Sequence, residues 1–171
     1  MFIRTKKVKG YEYAYLVSNK LSRGKVKQKS RKYLGRVYRF DRKESDFFDI
    51  YTIVDVMGHI KEKKSSEIIK EIVEWELYNH GFKQKEGIWR KDECFVDTAK
   101  KKVYNKKNSK AALAFNEGYL CEYGIRRLIN FRKKNDESDV YRLAKLFVET
   151  GLNVPKEVFV GLCSKEGLSR L

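Results

Sequence analysis

At 171 residues, with a formal net charge of +16, 42% hydrophobic and 13% aromatic residues, the chain has the composition of a folded, strongly cationic protein. A disordered basic tail would lack those aromatics, and the absence of any run of about eighteen apolar residues excludes a membrane-spanning helix. The start, Met1-Phe2-Ile3-Arg4, lacks the apolar stretch of a signal peptide, and Cys94, Cys121 and Cys163 are odd in number and far apart. The expectation is therefore a cytoplasmic protein with free thiols, no disulfide framework and no zinc site. Abundant Lys with Gln only at Gln28 and Gln84 gives a thermophile-like composition.

The first forty residues carry thirteen Lys or Arg against one acid, Glu12. Phe2–Val8, Tyr11–Val17 and Lys25–Leu34 are runs rich in aromatic and β-branched residues, broken at Lys9-Gly10 and Arg23-Gly24. They predict a three-stranded antiparallel meander ending near Phe40. Alternation puts Lys25, Lys27, Lys29 and Arg31 on one face, with Val26 and Leu34 on the other. Tyr11, Tyr13 and Tyr15 share a face opposite Ala14 and Leu16, and Arg4 and Lys6 alternate with Ile3 and Thr5. The expected product is a sheet with one face on the protein and the other presenting cations around tyrosines.

Residues 41–64 read as a connecting segment. Within it, Ile50, Thr52, Val54 and Val56 alternate as in a strand, with a helix as the alternative. Ser65-Ser66-Glu67 is a helix-start signal with Ser as the cap, and Asn79-His80-Gly81 is a stop. Between them Ile68, Ile69, Ile72, Val73, Trp75 and Leu77 cover a wide apolar face. Short strands are expected at Gly87–Arg90, Glu93–Asp97 and Lys102–Asn105, the last flanked by the cations Lys100, Lys101 and Lys102. From there the chain reads as helical. Asn116 caps a helix running to about Arg132, Ser138–Thr150 forms a second that stops at Gly151, and Pro155 sits in the first turn of a closing helix. Arg126, Arg127, Arg132, Lys133 and Lys134 make a further basic cluster. The fold class is α+β: a basic β-meander module over 1–40, the connection over 41–64, and an α+β domain over 65–171 ending in three helices.

A folded cationic sheet calls for a polyanion, and nucleic acid is the usual one. Lysines neutralise phosphates and release counterions. Tyrosines stack on exposed bases, and a narrow sheet fits a major groove. Arg4, Arg23, Arg31 and Arg36 are candidates for base edges, because a forked guanidinium pairs bidentately with guanine. The candidate interface is Arg4, Lys6, Tyr13, Tyr15, Arg23, Lys25, Lys27, Lys29, Arg31, Lys32, Arg36, Lys100, Lys101 and Lys102.

Phe2-Ile3-Arg4, Tyr13-Ala14-Tyr15-Leu16-Val17, Gly24-Lys25-Val26-Lys27-Gln28-Lys29 and Lys32-Tyr33-Leu34-Gly35-Arg36-Val37 together resemble the N-terminal β-segment of insertion-sequence DDE transposases. More loosely, they resemble the arm-binding domain of tyrosine integrases. The likeness covers about a fifth of the chain. The remainder departs from both families and resembles small archaeal proteins, so the resemblance implies DNA binding without strand transfer.

Glu71, Glu74, Asp92, Glu93, Asp97 and Lys101 are the residue types a metal-dependent nuclease needs, but the Asp-then-Glu-x-Lys strand spacing is absent. Surface carboxylates are the plainer reading. No P-loop, dinucleotide fingerprint or nucleophile elbow occurs. The helices around Gly151 have the turn of a helix-turn-helix but few cations on the second helix, which favours core packing. The expectation is a non-enzymatic nucleic-acid-binding protein without cofactor, metal or membrane contact, DNA slightly ahead of RNA. The alternatives are an RNA- or ribosome-binding factor, a metal-dependent nuclease, and an adaptor for acidic proteins.

Overall fold

The computed structural model describes residues 1–22, 25–43, 53, 55–132 and 138–165. Among them are nine strands and five helices, a mixed α+β architecture. The strands are β1 (Phe2–Val8), β2 (Tyr11–Ser22), β3 (Lys25–Arg39), β4 (Lys83–Lys85), β5 (Ile88–Lys91), β6 (Cys94–Asp97), β7 (Lys102–Asn105), β8 (Ala111–Phe115) and β9 (Gly118–Cys121). The helices are α1 (Val56–Glu62), α2 (Ser65–Asn79), α3 (Glu122–Ile129), α4 (Ser138–Thr150) and α5 (Lys156–Ser164).

The expected antiparallel meander is present as β1-β2-β3. Lys9 and Gly10 both have positive φ, which suits the two-residue turn that matches strand twist. The meander is one part of a larger sheet, ordered β1-β2-β3-β8-β9. β8 lies parallel to β3, with Arg36 opposite Ala111, and β9 returns antiparallel. Gly35 makes the seam possible: it has φ +140°, and a Cβ there would lie 2.7 Å from the Ala111 backbone. The second sheet, β4-β5-β6-β7, is an antiparallel meander. Its first turn, Glu86-Gly87, again has two positive φ values.

Two expectations about the later chain are corrected. Residues 111–121, in the part of the chain expected to be helical, form the β8–β9 hairpin. Asn116 is no helix cap; it sits in the hairpin turn with φ 44°. Helix α3 begins only at Glu122. At α2 the cap is Lys64, one residue before the expected Ser, and the Glu67 carboxylate accepts its N–H at 2.8 Å. The strand considered over Phe47–Met57 falls largely outside the described residues; Val56 and Met57 begin α1.

The main core joins α2, α4 and α5 to the second sheet and to one face of β8–β9. Ile68, Ile69, Ile72 and Val73 are poor helix formers by a few tenths of a kcal/mol each. All four are buried in α2, and burial at about 1.5–3 kcal/mol per large aliphatic side chain outweighs that preference. A smaller cluster lies on the opposite face of the large sheet: Ala14, Leu16, Leu34, Val37, Ala112 and Cys121.

One polar group is buried at the centre. The Glu76 side chain is fully buried and accepts from Arg42 Nε at 3.2 Å, Asn116 Nδ2 at 2.9 Å and the Asn153 N–H at 3.4 Å. It ties the chain after β3, the β8–β9 turn and the α4–α5 connection to one point on α2. Next to it, the His80 ring stacks on Phe115 at 3.8 Å between centroids, with Nδ1 2.9 Å from the Glu76 carbonyl. Burial pushes the His80 imidazole below its ordinary value.

Candidate nucleic-acid interface

β1 reaches only to the level of Val17, which it meets through Phe2. Beyond that level β2 and β3 continue without it. Ser18–Ser22 pairs with Lys25–Lys29 as a two-stranded ribbon, roughly 17 Å long at about 3.4 Å per residue. The side chains of Asn19, Lys20, Leu21 and residues 25–33 are all exposed.

Register assigns the faces. Lys25, Lys27 and Lys29 oppose Ser22, Lys20 and Ser18, so Lys20 and the three β3 lysines share one face. Two register irregularities then intervene, between Ala14 and Tyr15 and between Leu16 and Val17. Each adds one residue to β3, which keeps Arg31, Lys32 and Leu34 on this same face. Arg31 Nε donates to Ser18 Oγ at 2.8 Å, and Lys32 opposes Leu16. Leu34 packs with Ala14 and Leu16. The expectation that Leu34 lies opposite the lysines is therefore corrected; only Val26 does.

The other face carries the tyrosines. Arg4 opposes Tyr15 and Lys6 opposes Tyr13, and Tyr33 and Arg36 join them from β3. The Tyr33 ring centroid lies 5.5 Å from that of Tyr15 and 6.2 Å from that of Tyr13. Burial first, then the neighbouring phenols, pushes Tyr33 above its ordinary value, so it stays neutral. Arg4 Nη1 donates to the side-chain amide oxygen Oε1 of Gln28 across the sheet. Arg36 is occupied internally: its guanidinium lies 3.9 Å from the Tyr11 ring centroid and 3.8 Å from a Glu93 oxygen.

The expected single plate of cations around tyrosines is thus not what the sheet presents. The lysine face holds Lys25, Lys27, Lys29, Arg31 and Lys32, while Arg4, Lys6, Tyr13, Tyr15 and Arg36 lie on the reverse. Arg23 lies outside the described residues. Lys100, Lys101 and Lys102 are on the second sheet, around the β6–β7 turn. Lys100 pairs with Asp97 at 3.8 Å, and Lys101 Nζ donates to Asn130 Oδ1 at 2.8 Å.

The lysine face continues past the ribbon into a groove of about 880 Å³ between the middle of β3 and helices α3 and α4. Lys32 stands at the junction, with Nζ 5.7 Å from the Tyr123 ring centroid. Arg126, Arg127 and Arg132, read from sequence as a separate cluster, line this groove, together with Lys110, Arg142 and Lys145. Lys133 and Lys134 lie outside the described residues. Sequence reasoning missed Lys110, Arg142 and Lys145. The available signal was that Lys145 follows Tyr141 on one face of a helix, at i+4.

The carboxylates weighed for metal binding are spent on local structure. Glu71 takes His59 Nε2 at 2.8 Å and pairs with Lys63, and Glu74 accepts the Thr98 hydroxyl at 2.9 Å. Asp97 accepts the Lys100 N–H at 2.8 Å, and Asp92 sits in the β5–β6 turn at φ 49°. Among the described residues no three His, Cys, Asp or Glu side chains group to hold a metal ion. Likewise, no described helix is long and apolar enough to cross a membrane. Burial pushes the Cys94 thiol up to about 12 and raises that of Cys121. Neither has the depressed value of a nucleophilic cysteine. Compared with known protein families, curated proteins and solved structures, the chain matches none.

Proposed function

We propose that this protein binds nucleic acid without chemical turnover, preferring duplex DNA, through the lysine face of the β2–β3 ribbon. One observation carries the reading. Between Ser18 and Lys32 the chain has seven Lys or Arg and no acid, and its described part forms a two-stranded arm clear of the core. No ion pair among the described residues involves Lys20, Lys25, Lys27 or Lys29. Lysines at alternate positions repeat about every 6.8 Å, a spacing that lets several meet one phosphate strand together.

The reverse face supports insertion into a groove over flat apposition. At the arm's end Leu21 pairs with Val26, and both are largely exposed, at 71% and 66%. An apolar pair opposite a cationic face suits an element whose two sides are both covered. A B-form major groove, about 12 Å wide, admits such a ribbon and offers thymine methyls. The A-form RNA groove is too deep and narrow. This, with the transposase-like character of residues 2–37, favours DNA over RNA.

The test is a pair of charge reversals, Lys27→Glu with Lys29→Glu, in anisotropy titrations against labelled duplex DNA over a salt series. Affinity should fall and the salt slope should flatten by about 2, near 0.9 for each phosphate that is no longer neutralised. Unchanged affinity and slope would remove the ribbon from the interface. A matched RNA duplex competing tenfold better than DNA would reverse the preference.

A further inference from the structure

The groove beside the ribbon differs from it in shape and chemistry. Its volume of about 880 Å³ lies in the range of pockets that enclose small ligands, about 300–1,000 Å³. Seven cations line it against two carboxylates, Glu122 and Glu149.

The cations fall into two sets. Arg126 is held by Glu122 at 3.1 Å, Arg127 by Glu149 at 2.7 Å, and Arg142 by Asp139. These pairings fix the guanidinium planes and leave further N–H donors open. Lys32, Lys110, Arg132 and Lys145 have no acidic partner among the described residues. The excess positive charge therefore sits on these four, spread along the walls.

Aromatic rings stand between the charges. Tyr123 has Lys32 on it at 5.7 Å and Arg127 at 5.1 Å, and Phe131 has Arg142 at 5.2 Å. Tyr141 lines the same groove with free surface, 69% exposed. Alternating cations and rings in a cleft of this volume suit a strand whose phosphates meet the lysines and whose unstacked bases meet the rings.

We propose that this groove binds a single-stranded segment of nucleic acid, leading off a duplex held on the ribbon. Lys32, on both the lysine face and the groove wall, is the hand-over point. The proposal rests on the nucleic-acid reading above and specifies its substrate as a junction between paired and unpaired strands.

Anisotropy titrations at one salt concentration would compare a blunt duplex with the same duplex bearing an eight-thymidine overhang. The unaltered protein should bind the overhang form at least about tenfold tighter, the scale of a single stacked base. Lys110→Glu with Lys145→Glu, both at exposed positions, should abolish that gain and leave blunt-duplex affinity within about twofold. Tyr141→Ala, which changes no charge, should also reduce the gain. The ribbon variant Lys27→Glu with Lys29→Glu should weaken both substrates together. An intact duplex affinity with no overhang gain would overturn the groove proposal and leave the duplex reading standing. A groove variant that weakens both substrates equally would also overturn it, making the groove general cationic surface. Failure of every nucleic acid to bind the unaltered protein would remove both readings.

Discussion

Glu76 should be among the most costly carboxylates in the molecule to remove. It is fully buried and takes three donors, one of them the charged Arg42. Glu76→Ala removes the acceptor that Arg42, Asn116 and the Asn153 N–H share and opens a cavity where they meet. Breaking a buried ion pair from one side costs about 3–5 kcal/mol. The Arg42 side chain retains 20% exposure, so it recovers some hydration, which favours the lower half of that range. At about 2–4 °C per kcal/mol for a chain of this size, the melting temperature should fall by roughly 6–16 °C. Glu76→Gln keeps the volume and loses the charge, and should cost about 1.5–3 kcal/mol. The assay is urea unfolding followed by tryptophan fluorescence, since Trp75 and Trp89 are both buried. Glu122→Gln serves as control; its pairing with Arg126 is solvent-exposed and should be worth no more than about 1 kcal/mol. A Glu76→Ala cost no larger than that of the control would refute the view that this carboxylate clamps three segments together.

Two further outcomes follow from the same packing. Gly118 has a Cβ position 2.1 Å from Gly151 N and 2.3 Å from Val148 O, whereas at Gly87 nothing lies within 4 Å. In urea unfolding, Gly118→Ala should cost about 3 kcal/mol or more through forced displacement of the α4 terminus. Gly87→Ala, strained only by its φ of +77°, should cost about 1 kcal/mol; equal costs would mean that the crossing relaxes freely. For His80, burial holds the folded imidazole neutral below its ordinary value of 6.5, while the unfolded chain takes up a proton there. The stability this contributes is complete above that value and is lost as pH falls from it towards the folded value. Urea midpoints at pH 7.5 and 5.5 should therefore diverge in the unaltered protein and draw together in His80→Gln. The same drop in both would assign the pH dependence elsewhere.

What was legible in the sequence was what obeys a single local period. α2 runs from Ser65 to Asn79 and α4 from Ser138 to Thr150, the bounds their apolar spacing and terminal residues set. The three hairpin strands over 88–105 also lie where turn residues bracket β-branched and aromatic runs. β8 was hidden because both its faces are buried. Ala111, Leu113 and Phe115 enter the main core, and Ala112 and Ala114 pack with the smaller cluster. No alternation survives in such a strand, and its Ala-Ala-Leu-Ala composition favours helix. The two faces of the meander were misread for another reason. The composition of each strand was clear, but which face of β2 matches which face of β3 depends on register. Two extra residues in β3 reset that register between the lysines and Leu34. A count along one strand carries no trace of its partner's slippage.

The parallel seam between β3 and β8 has a consequence for synthesis. Arg36 finds Ala111 only after about 75 further residues have been made. At about 5–20 residues per second, the inner edge of the nascent meander stays open for roughly 4–15 s. An open edge of Leu34, Val37 and Tyr38 invites pairing with a neighbouring chain. Cations clustered immediately upstream of that edge oppose the approach of a second, equally charged copy throughout the interval, as gatekeeper charges do beside other exposed strands.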